Sequence, residues 1–391
     1  MRRIIFLNRF YWPDESATSQ MLTDLATGLA AAAHDVAVVT SRTCLNQPER
    51  RLDAHEQAAR VEIHRVSMAR FGRGNLAGRT MAFLGFLGAA LWRLLRVARP
   101  GDVIVAKTDP PMLSVPAAVV ARLRGASLVT WQQDLYPETA AALGVIAAHA
   151  PWFRFLNALR NRSLRQADEN VVISDTMAAR LRREGIPAAK IRVIPNWADG
   201  EAIRPVEPAH NPLRRKWIGT DAFVVGYSGN MGRAHDLEPL LEAARKLQDR
   251  NASTPVRFLL VGEGFQARRL AGIVAENGLE HVTMRPFQPR QGLRHSLGVP
   301  DLHVVSLRPE LEGLVVPSKI FGALAAGRPV LYLGDRGSEI AAWLGKAGCG
   351  TACAPDDIDS IVDTVLAYAR SPGRLAAEGH AARALFDERF S

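Results

Sequence analysis

At 391 residues, with 48% hydrophobic and 23% charged side chains, the chain exceeds one ordinary domain and holds too much core-forming material to be mainly disordered. Its three cysteines, Cys44, Cys349 and Cys353, make neither a disulfide framework nor a zinc motif, which suits a reducing compartment. The net charge of +10 is lopsided: residues 1–200 carry 26 basic against 17 acidic side chains, and residues 201–391 carry 23 against 22.

A basic first half admits a nucleic acid, an anionic membrane or an anionic substrate as partner. No zinc finger, RNA-binding aromatic signature or basic zipper accompanies the charge, so nucleic acid is not expected. The N-terminus, Met1-Arg2-Arg3-Ile4-Ile5-Phe6-Leu7, runs straight into an apolar strand without a signal peptide's long apolar region and cleavage site. Export is not expected.

Strand-like apolar runs alternate with helical periodicity, the mark of stacked βαβ units. In chain order the first half reads as strand Ile4–Asn8, helix Ser19–Ala33 and strand Val36–Thr40, then strands Val103–Ala106, Ser127–Trp131 and Glu169–Ile173. A helix from Thr176 to Glu184, capped by Ser174 or Asp175, and a strand Ile191–Ile194 close it. From Asn196 to Arg215, Pro205, Pro208 and Pro212 interrupt all periodicity, which predicts a hinge. The alternation then restarts with strand Val224–Ser228, helix Leu237–Arg250, strand Val256–Val261, helix Gln266–Asn277 and strand Val282–Arg285. Strands Leu302–Ser306 and Val330–Leu333, with helix Lys319–Ala326 between, complete the set. The expected architecture is α/β, two doubly wound Rossmann-like domains at 1–195 and 216–391 joined by a linker at 196–215. The chain ends at Arg389-Phe390-Ser391, and its last helix is read as cut short.

One segment breaks the rhythm. Leu76–Leu95 is strongly apolar, but its uninterrupted run between Arg79 and Arg93 is thirteen residues, short of the about 20 a bilayer needs. Arg93, Arg96 and Arg99 follow at helical spacing beside Trp92. This is either an interfacial helix with a basic edge or a core helix covering the first sheet, and both hold if only one face is exposed.

Three places carry chemistry. The loop Tyr11–Gln20 leaves the first strand where open α/β sheets bind ligands, and it opens a helix, but it lacks a dinucleotide-binding glycine pattern. Ser228-Gly229-Asn230-Met231-Gly232-Arg233-Ala234-His235 and Val261-Gly262-Glu263-Gly264 each follow a strand. Their glycines let backbone approach a phosphate, and Arg233 can bond it. In the run Glu312–Pro329, Pro317 and Ser318 mark a helix start, so Ser318 and Lys319 join free amides, hydroxyl and ammonium in a diphosphate site.

At these residues the chain resembles the family 4 glycosyltransferases of the GT-B fold, in particular bacterial members that build exopolysaccharide, O-antigen or colanic-acid-like repeats. The matching pieces span nearly the whole chain: YWPDESATSQ, WQQDLYPE at 131–138, VVISDTMAARLRREGIPAAKIRVIPNWAD at 171–199, YSGNMG at 227–232, VGEG, and VVPSKIFGALAAGRPVL. The resemblance implies two domains facing across a cleft. The second would bind a UDP- or GDP-sugar, with Gly229, Asn230 and Arg233 at the diphosphate, Gly262 and Glu263 near the nucleoside, and Arg285 and Phe287 by the base. Leu314, Val315, Ser318 and Lys319 would close over ribose and phosphates. The first would take the acceptor, with Asp14, Glu15, Ser16 and Thr18, and with Gln133 and Asp134, toward the reacting centre.

The sequence also departs from the family's pattern. Many members carry His-Asp where this chain has Gln133-Asp134, so Asp134 becomes the expected catalytic group. The two Glu of the E-x7-E span are replaced by Leu314 and Gly322, with Glu312 two residues early. The Arg and Lys often found in the first glycine loop of the second domain appear as Asn230 and His235, leaving Arg233 and Lys319 to supply charge. The family implies transfer with retention and no required metal or cofactor, and no Asp-x-Asp motif occurs. A lipid-linked saccharide acceptor and an anionic membrane surface are the expected partners, and the cytoplasm, on the inner face of the cell membrane, the expected place. A nucleotide-sugar epimerase of similar build, or a non-catalytic nucleotide-sugar-binding subunit, are the alternatives.

Overall fold

A computed structural model describes residues 2–391 other than 46, 48, 68–75, 220 and 249–254. The chain divides into two compact units, one of Met1–Ile194 with Gly313–Val315, the other of Pro195–Glu312 with Val316–Ser391.

The first unit is built on an eight-stranded sheet: β1 (Ile4–Leu7), β2 (Val36–Ser41), β3 (His55–Ala58), β4 (Val61–Val66), β5 (Val103–Ala106), β6 (Ser127–Gln132), β7 (Glu169–Val172) and β8 (Ile191–Val193), in the order β3-β4-β2-β1-β5-β6-β7-β8. All neighbours are parallel except the hairpin β3–β4. Every residue of β2 is buried, as expected of a parallel strand covered on both faces. The order reverses between β1 and β5, the switch point where such sheets bind ligands.

The second unit carries a six-stranded, wholly parallel sheet: β9 (Phe223–Ser228), β10 (Val256–Val261), β11 (Val282–Arg285), β12 (Leu302–Ser306), β13 (Val330–Leu333) and β14 (Gly350–Cys353), in the order β11-β10-β9-β12-β13-β14. Its switch point lies between β9 and β12. The core holds Phe223, Tyr227, Phe258, Leu302, Val304 and Leu331, with Leu240, Leu241 and Ile361 from the helices above them.

Several sequence expectations are corrected. The hairpin β3–β4 was not expected, because His-Glu-Gln-Ala in β3 is an edge strand without an apolar face. β14, Gly-Thr-Ala-Cys, is likewise too polar and small to signal a strand. Helices Ser114–Arg124, Pro151–Gln166, Glu339–Ala347, Ile358–Ala369 and Pro372–Arg389 add to those expected. The expected end of helix Leu237–Arg250 falls outside the described residues; the helix is described over Glu238–Gln248.

The stretch 196–215 is not a free hinge: it is packed into the second unit. Pro208 and Pro212 each open a short helix, a position that needs no N–H, and Asn211 caps Pro212–Trp217 through its side chain. Arg214 makes a buried, two-pronged pair with Asp301 at 2.8 and 2.9 Å. Arg328 donates to the Val206 carbonyl at 2.7 Å, and Ala198 N–H to that of Phe390 at 3.1 Å.

The apolar segment forms helix Leu76–Val97, long and apolar enough to cross a membrane by length and composition alone. Phe86, Ala90 and Leu94 point into the core of the first sheet, whereas Met81, Leu84 and Trp92 are exposed and Arg96 stacks on Trp92 at 4.4 Å. Both expected faces are therefore present on one helix.

Candidate functional site

In the second unit the glycine turns at the ends of β9 and β10 interlock. Gly229 N–H donates to the Val261 carbonyl and Gly262 N–H to that of Arg285, each at 2.8 Å, while Met231 N–H donates to Glu263 at 2.7 Å. Gly229, Gly262 and Gly264 have φ of +135°, +140° and +141°, backbone open in practice only to glycine. A Cβ on Gly262 would lie 2.1 Å from the Gly229 carbonyl oxygen, and one on Gly229 would lie 2.6 Å from Lys319 Cε. The lysine side chain thus lies directly over Gly229, while Gly262 is held open by the Gly229 backbone and Gly264 by Asn230 and Met231.

Lys319 opens helix Lys319–Ala325, and its Nζ lies 2.8 Å from His235 Nε2. His235 Nδ1 is 2.6 Å from the carbonyl of Ser306, the last residue of β12, so the Nδ1 proton is donated there and the Nε2 lone pair faces the ammonium. Burial first, then the charge of Lys319, pushes His235 down to about 3, so the ring is neutral near pH 7. Burial alone brings Lys319 down to about 7. His235 is the residue that the sequence pattern marked only as a missing cation; its role in the geometry is to hold one.

Arg233, two residues earlier on the same loop, is exposed and stacks on Phe265 at 3.8 Å. Asn230 and Glu263 are exposed at the same turns, as are Arg285 at the end of β11 and Phe287 just beyond it. Ser318 stands at the start of the lysine's helix without a side-chain capping bond. Leu314 and Val315 group instead with the first unit, where Leu135 N–H donates to the Leu314 carbonyl at 3.0 Å and Val315 pairs with Asp134. At Gly322, where the family has its second Glu, a Cβ would lie 3.3 Å from Leu297 Cδ1, so a larger side chain there needs Leu297 to shift. Glu312 accepts the Glu339 N–H at 3.3 Å.

In the first unit the ends of β1, β5 and β6 bring together a buried cluster that the sequence pattern only half revealed. Lys107, immediately after β5, is fully buried, donates to the Thr18 carbonyl at 3.0 Å and stands 3.8 Å over the Trp131 ring. Thr18 donates its hydroxyl to Asp109 at 3.1 Å. Burial, opposed by Asp109 and Asp134, lowers Lys107 to about 7. Burial, reinforced by Asp109, raises Asp134 to about 6, and burial also raises Asp109. Two buried carboxylates, both raised, beside a lysine lowered to about 7 are a natural device for binding and orienting a hydroxyl. The signal available was Lys-Thr-Asp-Pro directly after a strand at the switch point.

The remaining first-unit residues divide. Asp14 is buried and accepts from the Ser16 N–H at 2.8 Å and the Leu45 N–H at 2.5 Å, so it ties the loop after β1 to the segment after β2. Ser16 starts helix Ala17–Ala31 without a side-chain capping bond, and Glu15 is exposed. Gln133 is buried with its N–H on Thr108 Oγ1 at 3.2 Å. A separate surface hollow of about 660 Å³ in the second unit is lined by charges that pair among themselves, Arg245 with Glu242 and Arg269 with Glu238.

Residues 16–197 match the family model described as a glycosyl transferase 4-like domain. Among curated proteins the chain is 28% identical over 296 residues to "Probable glycosyltransferase WbjE" of Pseudomonas aeruginosa, covering 74% of this chain and 71% of that one. It is 23% identical over 365 residues to "Putative colanic acid biosynthesis glycosyl transferase WcaI" of Escherichia coli K12, covering 90% and 88%. Among solved structures, the sucrose-phosphate synthase of Thermosynechococcus elongatus superposes with a TM-score of 0.77 at 18% identity, over 100% of this chain and 95% of that one. HepE of Anabaena, solved with UDP-glucose, gives 0.72 at 17% identity, over 100% and 96%.

Proposed function

We propose that this chain, which belongs to the family 4 glycosyltransferases of the GT-B fold and serves bacterial polysaccharide biosynthesis, moves a hexose from a nucleotide-sugar onto a polyprenyl-diphosphate-linked saccharide with retention and without a required metal. The donor is a UDP- or GDP-sugar. The observation that carries the reading is the lysine held over a glycine turn: Lys319, oriented by His235, lies above Gly229, which packs against Gly262, at the switch point of the second sheet. HepE, a neighbour in fold, is described with UDP-glucose, which favours the same ligand class here.

Chemically, the bond between the anomeric carbon and the leaving diphosphate oxygen breaks while the acceptor hydroxyl oxygen bonds to the same face. The acceptor proton passes to the departing phosphate, so no strong protein base is needed. Negative charge grows on the diphosphate, and Lys319 and Arg233 are the cations that offset it. Asp134, with Lys107, Asp109 and Thr18 behind it, orients the hydroxyl; Gln133 cannot titrate and takes no proton.

The exposed apolar face of helix Leu76–Val97, with Arg96 beside Trp92, supports seating of the first unit on an anionic leaflet of the cytoplasmic membrane, where a lipid-linked acceptor resides. The deciding experiment is a thermal-shift screen of the purified chain against UDP-, GDP- and dTDP-sugars, followed by transfer assays with whichever stabilises it. Stabilisation by one nucleotide class, lost in Lys319→Ala, is the expected result. No stabilisation by any of them rejects the donor assignment, and nucleotide-sugar isomerisation without an acceptor would favour an epimerase.

A further inference from the structure

At the outer edge of the first sheet, the hairpin β3–β4 sets His55 directly opposite His64, and Glu62 two residues before His64 shares their face. Glu62 Oε1 lies 3.2 Å from Nε2 of His55 and 3.2 Å from Nε2 of His64. One donor atom from each of the three lies within 4.8 Å of the other two. His64 is buried, with 9% of its side chain exposed, and neither of its ring nitrogens makes an aligned hydrogen bond. Its Nε2 lies near Glu62 Oε1 without a hydrogen bond to it, while that oxygen is bonded to His55 Nε2. A tetrahedral metal ion about 2.0–2.2 Å from each ligand sets neighbouring ligand atoms about 3.3–3.6 Å apart, close to the two carboxylate–histidine spacings already present.

We propose that His55, Glu62 and His64 bind a divalent borderline metal ion of the zinc class, which clips the edge strand β3 to β4. Two imidazoles and one carboxylate are a donor set for zinc, cobalt or nickel rather than for magnesium or calcium, and water fills the remaining position. The carboxylate already turns one oxygen toward the histidines, while Arg3 lies 3.8 Å from the other, Glu62 Oε2, and is itself neutralised by Asp102 at 2.9 Å. Arg3 and Arg93 are the cations nearest the cluster and weaken, without abolishing, its pull on a cation. Most of the His55 side chain, 61% of it, is exposed, so its ring can swing onto an arriving ion.

The clip has something to hold. β3 is a four-residue edge strand, marginal by itself. Its Glu56 pairs with the buried Arg65 of β4, and Arg65 also donates to the Trp12 carbonyl at 3.0 Å. Fastening β3 therefore steadies the loop that leads into the acceptor-side residues. The site is separate from the transfer chemistry, and its test does not depend on the donor assignment.

The test uses tag-free, chelator-stripped full-length protein titrated with zinc and, for its visible spectrum, cobalt. One ion per chain, a rise in Tm with zinc, and a cobalt spectrum of nitrogen and oxygen ligation are expected. His55→Ala and Glu62→Gln, both at partly exposed positions, should each weaken binding about tenfold or more while leaving the metal-free Tm unchanged. Less than half an ion per chain, undiminished binding in both variants, or the charge-transfer band of cobalt thiolate ligation would overturn the proposal. The last of these would point to Cys44, Cys349 or Cys353 instead.

Discussion

Lys319 Nζ and His235 Nε2 stand 2.8 Å apart, and the imidazole's other nitrogen is anchored 2.6 Å from the Ser306 carbonyl at the end of β12. Because that anchor fixes the tautomer, the ring offers a lone pair to the lysine and never competes with it as a cation. The switch point of the second sheet thus presents the Lys319 amine directly over the turn at Gly229.

Removing that charge should disable transfer without unfolding the chain. Lys319→Ala is expected to lower turnover by about 10²–10³-fold, the usual cost of one contact to a developing anion. Its melting temperature should stay within a few degrees of the parent's. Near-normal turnover would reject the phosphate role.

Donor affinity should depend on pH through the same group. With Lys319 lowered to about 7, the ammonium is present below that pH in the free protein and fades above it. Donor binding should weaken as pH rises past about 7. Lys319→Arg, which stays charged throughout, should bind the donor with little change across that range. Calorimetric titrations at three pH values decide it.

The acceptor side should show the opposite limb. Asp134, raised to about 6, is ionised above that pH and protonated below it, so kcat/KM is expected to fall on acidification with a midpoint near 6. Asp134→Asn should lower kcat/KM by about 10²-fold and flatten that limb. An unchanged acid limb in the variant would assign the titration to another group.

Burial of Lys107 carries a stability signature whose sign is fixed. The folded lysine releases its proton above about 7, whereas the unfolded one keeps it to about 10.4, so between those values the unfolded state binds more protons. Stability should therefore rise with pH across that window. Lys107→Met should remove part of the rise, leaving the share due to Lys319, as read by urea denaturation at pH 7 and pH 9.

Gly262→Ala tests the interlocked turns. Its Cβ would meet the Gly229 carbonyl at 2.1 Å on a backbone with φ of +140°. The strain should cost about 1–3 kcal/mol of stability and, by displacing the turn beneath Lys319, weaken donor binding more than acceptor binding. Equal losses for both substrates would show general damage instead.

Trp92→Ser and Arg96→Ser should each reduce retention on anionic liposomes, the arginine by about fivefold at low salt and less at high salt. Equal retention on neutral vesicles would remove the electrostatic part of the membrane reading.

The amino-acid order alone determined the two doubly wound halves, because short apolar runs such as Val256–Val261 and Leu302–Ser306, bounded by glycine and proline, alternate with helical periodicity as buried parallel strands do. It also singled out Lys319 and the glycine turns, since residues adjacent in sequence at a strand end stay adjacent in space. It misjudged 196–215, where prolines read as looseness but sit at helix starts, and where the partner that anchors Arg214, Asp301, is 87 residues away. Only the tertiary structure decided that His235 serves Lys319, that Asp14 ties its loop to the Leu45 backbone, and that Lys107, Asp109 and Asp134 share one buried cluster. The physical reason is common to all three. Local pattern records which way a side chain faces, but desolvation and charge coupling depend on what the rest of the chain packs against it, and that is set by contacts far apart in sequence.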